Sequence, residues 1–548
     1  MAPLRLNSSP VRQLIAGTLV VAIAVAIEIA LLSSSAAGPP PRYLASIFQD
    51  DDHLVYTTTP VATQTLDRLQ RLGVDMIRVT MLWKAVAPQP TAATAPAGFD
   101  AADPAAYPAA AWAPYDRLVE LARAHGITVL FNITAPGPVW AMARGATPPT
   151  YADHWMPSAA AFGQFVAAVG RRYSGSYTPA GSPRPLPPVR DWSIWNEPNQ
   201  PGWLAPQLRS EGGLAAPALY RAYVEAAWSS LSRTGHRTGS DTFLIGELAP
   251  EGCEPGGRCV FAGPNRPIPP VPFVRALYCI DSSGRPLAGA AAVSVGCPTR
   301  GDPRAFADRN PGLFRATGFA HHPYSFFLAP AASMPDPNFV PLSDLARLER
   351  VLDAAFRAYG VARKLDLYLT EYGYETNPPN PYRGVRPTTQ ARYLNEAQYM
   401  AWRDPRVRAL SQFLLYDSPP DTRFKPGSLG YWSTFQTGLA FRNGIPKPSY
   451  AAYRLPVFVP SQTVSSGGQV LVWSMLRPAA ANSSHQAEVQ WRAASGGPFR
   501  TLTTASVQNP TGALAVKVGV PGSGVLRVAW RAPWGVVYYS RGVAVGVR

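Results

Sequence analysis

Three short segments gather residue types able to do chemistry. Trp192-Ser-Ile-Trp-Asn-Glu-Pro-Asn199, Ala320-His-His-Pro-Tyr324 and Leu369-Thr-Glu-Tyr-Gly-Tyr374 each place polar, titratable side chains directly after an apolar run. Glu197 and Glu371 are the candidate catalytic pair. Of two convergent carboxyl groups, one can hand a proton to a departing oxygen. The other, ionised, can stabilise or attack an electron-poor carbon. The proton donor needs apolar walls or a neighbouring negative charge, and Trp192, Trp195 and Trp203 offer aromatic faces. The ionised partner needs positive charge and hydrogen-bond donors around it. Glu247 ends another apolar run and is the rival carboxylate; Asn132 ends a further one and is read as a wall residue.

The elements that must position these residues are visible as alternation. Strand-like runs are expected at Leu44–Phe48, Asp75–Trp83, Ile127–Ala135, Val189–Asn196, Thr242–Leu248, Ala316–Tyr324, Leu365–Glu371 and Ala409–Tyr416. Helical periodicity separates them, as in Thr63–Gly73, Tyr115–His125, Ser158–Tyr173, Ala218–Thr234, Leu342–Gly360 and Thr388–Arg403. Thr388-Thr389-Gln390 is expected to cap the last of these, and Gly73 to stop the first. Eight strand–helix rounds in about 400 residues predict a (β/α)8 TIM barrel over 41–455, whose active site gathers at the C-terminal strand ends. After Tyr450 short alternating runs divided by Gly, Ser and Pro predict an antiparallel β-sandwich over 456–548. The shift in composition predicts that the barrel folds without it.

At these strand ends the chain resembles clan A glycoside hydrolases, cellulase-type barrels that include families 5 and 39. Trp195-Asn196-Glu197-Pro198 is similar to their strand-four motif, Ile77-Arg78-Val79 to strand two, and His322-Pro323-Tyr324 to strand six. Gly438-Leu439 and Lys447-Pro448-Ser449-Tyr450 resemble the end of the clan's barrel. The resemblance covers about 42–455. It implies that Glu197, beside Asn196, is the acid/base, that Glu371 is the nucleophile, and that Arg78 and Tyr324 support Glu371. It implies retention, with the carboxyl groups about 5–5.5 Å apart. It further implies an oligo- or polysaccharide substrate and no cofactor. Substrate-binding candidates are Arg78, Asn132, Asn196, Trp203, His322 and Tyr324. Many clan members end strand eight in a tryptophan; here Leu415-Tyr416-Asp417-Ser418 stands there, and Tyr416 or Trp432 is expected to substitute. A metal site at His321, His322 and the glutamates is the weaker reading, and no metal is expected. The rival functions are a catalytically silent carbohydrate-binding protein on this fold, and a transglycosylase. Sugar identity, linkage and endo or exo action are not written in these motifs.

The 548 residues carry a formal charge of +16, with arginine supplying 45 of the 50 cations. The arginines are scattered without a basic run, so no nucleic-acid partner is expected. Arg5 and Arg12 precede an apolar stretch from Leu14 to Leu32, followed by small residues. Residues 1–40 are therefore expected to be a cleaved secretory signal or an uncleaved membrane anchor, which makes the chain extracytoplasmic, secreted or held at the membrane or cell envelope. Cys253, Cys259, Cys279 and Cys297 cluster in one insertion. Two disulfides are expected there, with nearest neighbours paired (Cys253–Cys259 and Cys279–Cys297) among the three pairings four cysteines allow.

Overall fold

The computed structural model describes residues 44–143, 152–253, 263–299 and 303–548. The signal or anchor expected at 1–40, and Cys259, lie outside the described residues. Residues Leu44–Arg548 form one compact unit. No described helix is long and apolar enough to cross a membrane.

Eight parallel strands close the barrel in chain order. They are β1 (Ala45–Gln49), β2 (Met76–Leu82), β3 (Thr128–Thr134), β4 (Asp191–Ile194), β5 (Thr242–Leu248), β6 (Gly318–His321), β7 (Asp366–Leu369) and β8 (Val407–Phe413). Every expected strand is present. The observed ones stop short at β4, β6 and β7, because the chain bends into the site after Ile194, His321 and Leu369. Side chains alternate along a strand, so every second residue faces the barrel axis. Ile47, Leu130, Leu244, Ala320 and Ala409 form a buried apolar plug inside the ring. Two residues further along stand Gln49, Asn132, His322 and Ser411, with Arg78 two beyond Met76. The interior thus turns from apolar to polar one pleat below the mouth. Trp192, Trp195, Phe131, Phe162 and Phe165 belong to the separate core between strands and helices.

The helix Thr59–Leu72 is stopped by Gly73 in the left-handed region (φ 74°), as expected. A Cβ there would also meet the Arg477 carbonyl at 2.4 Å, so one glycine serves both the cap and a close approach of the sandwich. The helix Pro387–Arg403 begins one residue before the expected cap. Pro387 takes the first turn and Arg386 the cap position, with no capping side chain. In the insertion Cys279 and Cys297 form a disulfide as expected. Cys253 is also disulfide-bonded.

The C-terminal part is a two-sheet sandwich. One sheet runs Thr463–Val464, Val543–Val547, Gly524–Arg531, His485–Ala493, Gly496–Val507, with Val537–Tyr539 beside Gly524–Arg531. The other runs Ala513–Gly519, Gln469–Met475, Val457–Phe458. The long strand Gly496–Val507 escaped the sequence pattern because it is mostly exposed and begins with two glycines. The sandwich has its own core, but Trp473 and Met475 join the barrel's apolar cluster. The Trp473 ring lies 5.7 Å from Tyr399 and 5.9 Å from Trp402, both on the helix Pro387–Arg403. Asn395 of that helix accepts from the Val457 amide and from Arg541. Trp473→Ala is therefore expected to cost about 3–5 kcal/mol in a single cooperative unfolding transition. Two transitions, with the barrel's unmoved, would mark the sandwich as an independent body.

Candidate active site

The polar layer at the barrel mouth is organised around a fully buried arginine. Arg78 reaches up from β2 and meets four acceptors: Gln49 at 2.5 Å, Glu371 Oε1 at 2.8 Å, Asn196 Oδ1 at 2.6 Å and Glu247 Oε2 at 2.9 Å. Burial alone would favour losing its proton, but the charges of Glu247 and Glu371 hold the guanidinium positive. Tyr324 donates to the other oxygen of Glu371 at 3.1 Å. Its own proton is held tightly, first by burial and then by the Glu371 charge beside it. Glu371 thus lies between a cation and a phenolic donor.

Glu197 stands three residues past β4. Trp195 and Glu197 adopt positive φ, 67° and 39°. The bend is held by three bonds to neighbouring strands: Trp195 N–H to Ile133 O, Asn196 N–H to the Thr134 hydroxyl, and Glu197 N–H to Glu247 O, each 2.9 Å. It carries the Glu197 side chain, which stays half-buried, into the cavity. One carboxylate oxygen of Glu197, one of Glu371 and a ring nitrogen of His322 all lie within 4.8 Å of one another.

His322 is fully buried. Its Nδ1 lies 2.9 Å from Glu197 and its Nε2 2.6 Å from Glu247. Burial pulls its proton affinity down. The charge of Glu371 and the hydrogen bonds to Glu197 and Glu247 more than reverse this, so both ring nitrogens donate. His321 points away, to the Val340 carbonyl at 2.7 Å.

Glu247, the rival carboxylate, lies beneath the pair and is fully buried. It accepts from Arg78, His322, Thr370 and Ser193. Burial would push its carboxyl up, but Arg78 and His322 hold it well below the usual range, at about 2. It is an inner counter-ion, closed off from the cavity. It faces inward because β5 carries a bulge: Gly246 pairs with Ala320 and Leu248 with His321, leaving Glu247 as the extra residue. Gly246 has φ 105°, and a Cβ there would lie 2.5 Å from the Ala320 carbonyl and from the Phe319 ring. Gly246→Ala is expected to cost at least about 1–3 kcal/mol in backbone strain, more with the clash, and to lower activity through Glu247. A melting curve and kcat/KM together read it; wild-type values in both would refute this role for the bulge.

The cavity above these groups measures about 750 Å³ and is lined by Asn196, Glu197, Trp203, Tyr324 and Glu371 among others. Of the candidates, Asn132 lies below it. It is buried and hydrogen-bonds Ser193 and the Trp195 carbonyl, so it holds the β4 bend rather than a ligand. Trp192 and Trp195 are fully buried core residues: Trp192 faces outward from β4, and the bend after Ile194 turns Trp195 into the same helix layer. Neither expected substitute for the strand-eight tryptophan lines the cavity. Tyr416 is buried against His53, at 4.5 Å, and Trp432 packs on Tyr431. Phe435 lines the β8 side instead, edge-on to Phe413. It sits on a loop 22 residues past the end of the strand, where no periodicity could mark it. Gln49 and Thr80 also line the cavity. Both were detectable, since each continues the inward alternation of its strand.

No family model matches the chain, and no curated protein matches it. Among solved structures it is similar to GH5_18 from Streptomyces cattleya in complex with GlcNAc, at 14% identity, covering 78% of this chain and 85% of that one, with a TM-score of 0.43. It is also similar to AbfB, a family 51 α-L-arabinofuranosidase from Bifidobacterium longum, at 11% identity, 88% and 94% coverage and a TM-score of 0.41. A third is GH5_18 from Bifidobacterium longum subsp. longum, at 12% identity, 75% and 78% coverage and a TM-score of 0.43.

Proposed function

We propose that the chain is a retaining glycosidase of the clan A type that hydrolyses O-glycosidic bonds of a glycan. The carrying observation is that one carboxylate oxygen of Glu197 and one of Glu371 lie within 4.8 Å of each other at the mouth of the barrel. Retaining enzymes hold the two groups about 5–5.5 Å apart, and inverting ones about 6.5–9.5 Å, to leave room for a water. Glu371, held between Arg78 and Tyr324, attacks the anomeric carbon. Glu197 gives its proton to the departing oxygen as the glycosidic C–O bond breaks, and a glycosyl ester forms on Glu371. Glu197, now a carboxylate, takes a proton from water as that water attacks the same carbon. The ester bond breaks, Glu371 leaves as carboxylate, and Glu197 is protonated again. His322 and Asn196 fix the geometry of the pair through Glu197 and Arg78. The substrate reading rests on the open cavity with Trp203 and Phe435 as stacking faces. Export rests on the N-terminal sequence. A panel of aryl glycosides and polysaccharides, screened with the protein lacking residues 1–40, tests the activity. Turnover of at least one member is expected; binding of a glycan without turnover of any would favour a silent binder.

A further inference from the structure

Four carboxylates in the cavity wall have no part in the proposed two-glutamate reaction: Asp51, Asp52, Glu251 and Glu375. Asp51 is built into place. It accepts from the Thr80 amide at 3.2 Å and from Gln49 at 3.3 Å, and Gln49 is itself gripped by Arg78. Burial raises its carboxyl to about 6, against the pull of those bonds, which leaves it mostly ionised at neutral pH. Glu375 is held by Asn380. The described wall holds one cationic side chain, Arg383; burial raises the carboxyls of Glu251 and Glu375, and the Arg383 charge pulls both back toward the ionised form. The two cations beneath the cavity are spent. Arg78 meets four acceptors and His322 two carboxylates. The chain as a whole carries +16, so this negative wall runs against its own bulk charge.

We infer that the cavity selects glycans free of acidic groups, uncharged or amine-bearing, and refuses uronates and sulfated sugars. An acidic substituent would meet like charge on several sides, with Arg383 the one cation of the described wall, which costs far more than a neutral hydroxyl in the same place. Carboxylates accept from both hydroxyl and ammonium donors, so both uncharged and amino sugars are served. This substrate class rests on the glycosidase reading. It differs from what the bulk charge suggests, namely attraction to an anionic polysaccharide.

The test uses matched aryl glycosides: glucoside, glucosaminide and glucuronide, and the galactose series likewise. Turnover is expected only among uncharged and amino members, with each uronide at least roughly 100-fold lower in kcat/KM than its parent. Asp51→Asn with Glu375→Gln should narrow that gap about tenfold, and salt should narrow it further. A uronide turned over as well as its parent, or a gap untouched by the double variant, would overturn the inference. Turnover of no member would count against the glycosidase reading alone. Charge preference is then read from binding of a glucosamine hexamer, its N-acetylated form and its N-sulfonated form to the wild-type protein. Equal readings for all three, absence of binding included, overturn the inference.

Discussion

Replacing Glu371 with Gln is expected to lower kcat by about 10⁴-fold or more, the scale of removing a nucleophile, while glycan binding survives. The amide keeps the shape, and its oxygen can still accept from Arg78 while its NH2 faces the Tyr324 oxygen, but it cannot form the ester. Glu197→Ala should behave differently. Substrates with a poor leaving group should lose about 10²–10⁴-fold, the worth of general acid catalysis. Dinitrophenyl glycosides need little proton assistance and should still glycosylate the enzyme. The second step then lacks its base, the ester accumulates, and added azide should release it as the glycosyl azide. Equal loss on good and poor leaving groups, with no azide effect, would remove Glu197 from the acid/base role.

The second large effect is expected at Glu247, which touches no substrate. Glu247→Ala leaves Arg78 and His322 buried with one counter-ion fewer, a change that costs about 3–5 kcal/mol when a buried pair is broken. Its pH dependence follows from the two shifts. Glu247 is held low, so its contribution is present above its ordinary value of 4.5 and is lost as pH falls toward about 2. His322 is held high, so its contribution is complete below 6.5 and is lost as pH rises toward about 10. Asp51, pushed up by burial, acts in the opposite sense between about 4 and 6, but it is common to both proteins. The difference in unfolding free energy between wild type and variant should therefore be largest between about pH 4.5 and 6.5 and shrink on both sides. Urea unfolding across that range reads it. A difference that does not vary with pH would mean that Glu247 acts through packing alone.

How far the site could be read from the chain depends on what positions each residue. The barrel was legible because its strands are apolar runs bounded by helical periodicity, and Gly73 and the helix Pro387–Arg403 fall close to where the pattern puts them. Glu197, Glu371 and Tyr324 were legible because each stands just past a strand end with neighbours of the right type, and Arg78 because it faces inward from within β2. Glu247 was visible as a carboxylate at a strand end but not as an inner counter-ion, because that role depends on a one-residue bulge that alternation does not encode. Trp192 and Trp195 were misplaced for a related reason. Their types suit a sugar face, but Trp192 faces outward from β4 and the bend past Ile194 turns Trp195 into the same helix layer. Tyr416 and Phe435 divide on the same principle, since the β8 exit turns Tyr416 inward against His53 while a loop far along the chain supplies the exposed ring.

The most direct test of the account is the anomeric configuration of the first-formed product, followed by proton NMR in the first minutes of hydrolysis of an aryl glycoside that the enzyme accepts. A Glu197–Glu371 approach within 4.8 Å predicts a product with the substrate's configuration, which then mutarotates toward equilibrium. First appearance of the opposite anomer would mean that a water, and not Glu371, attacks the sugar, and would contradict the account at its centre.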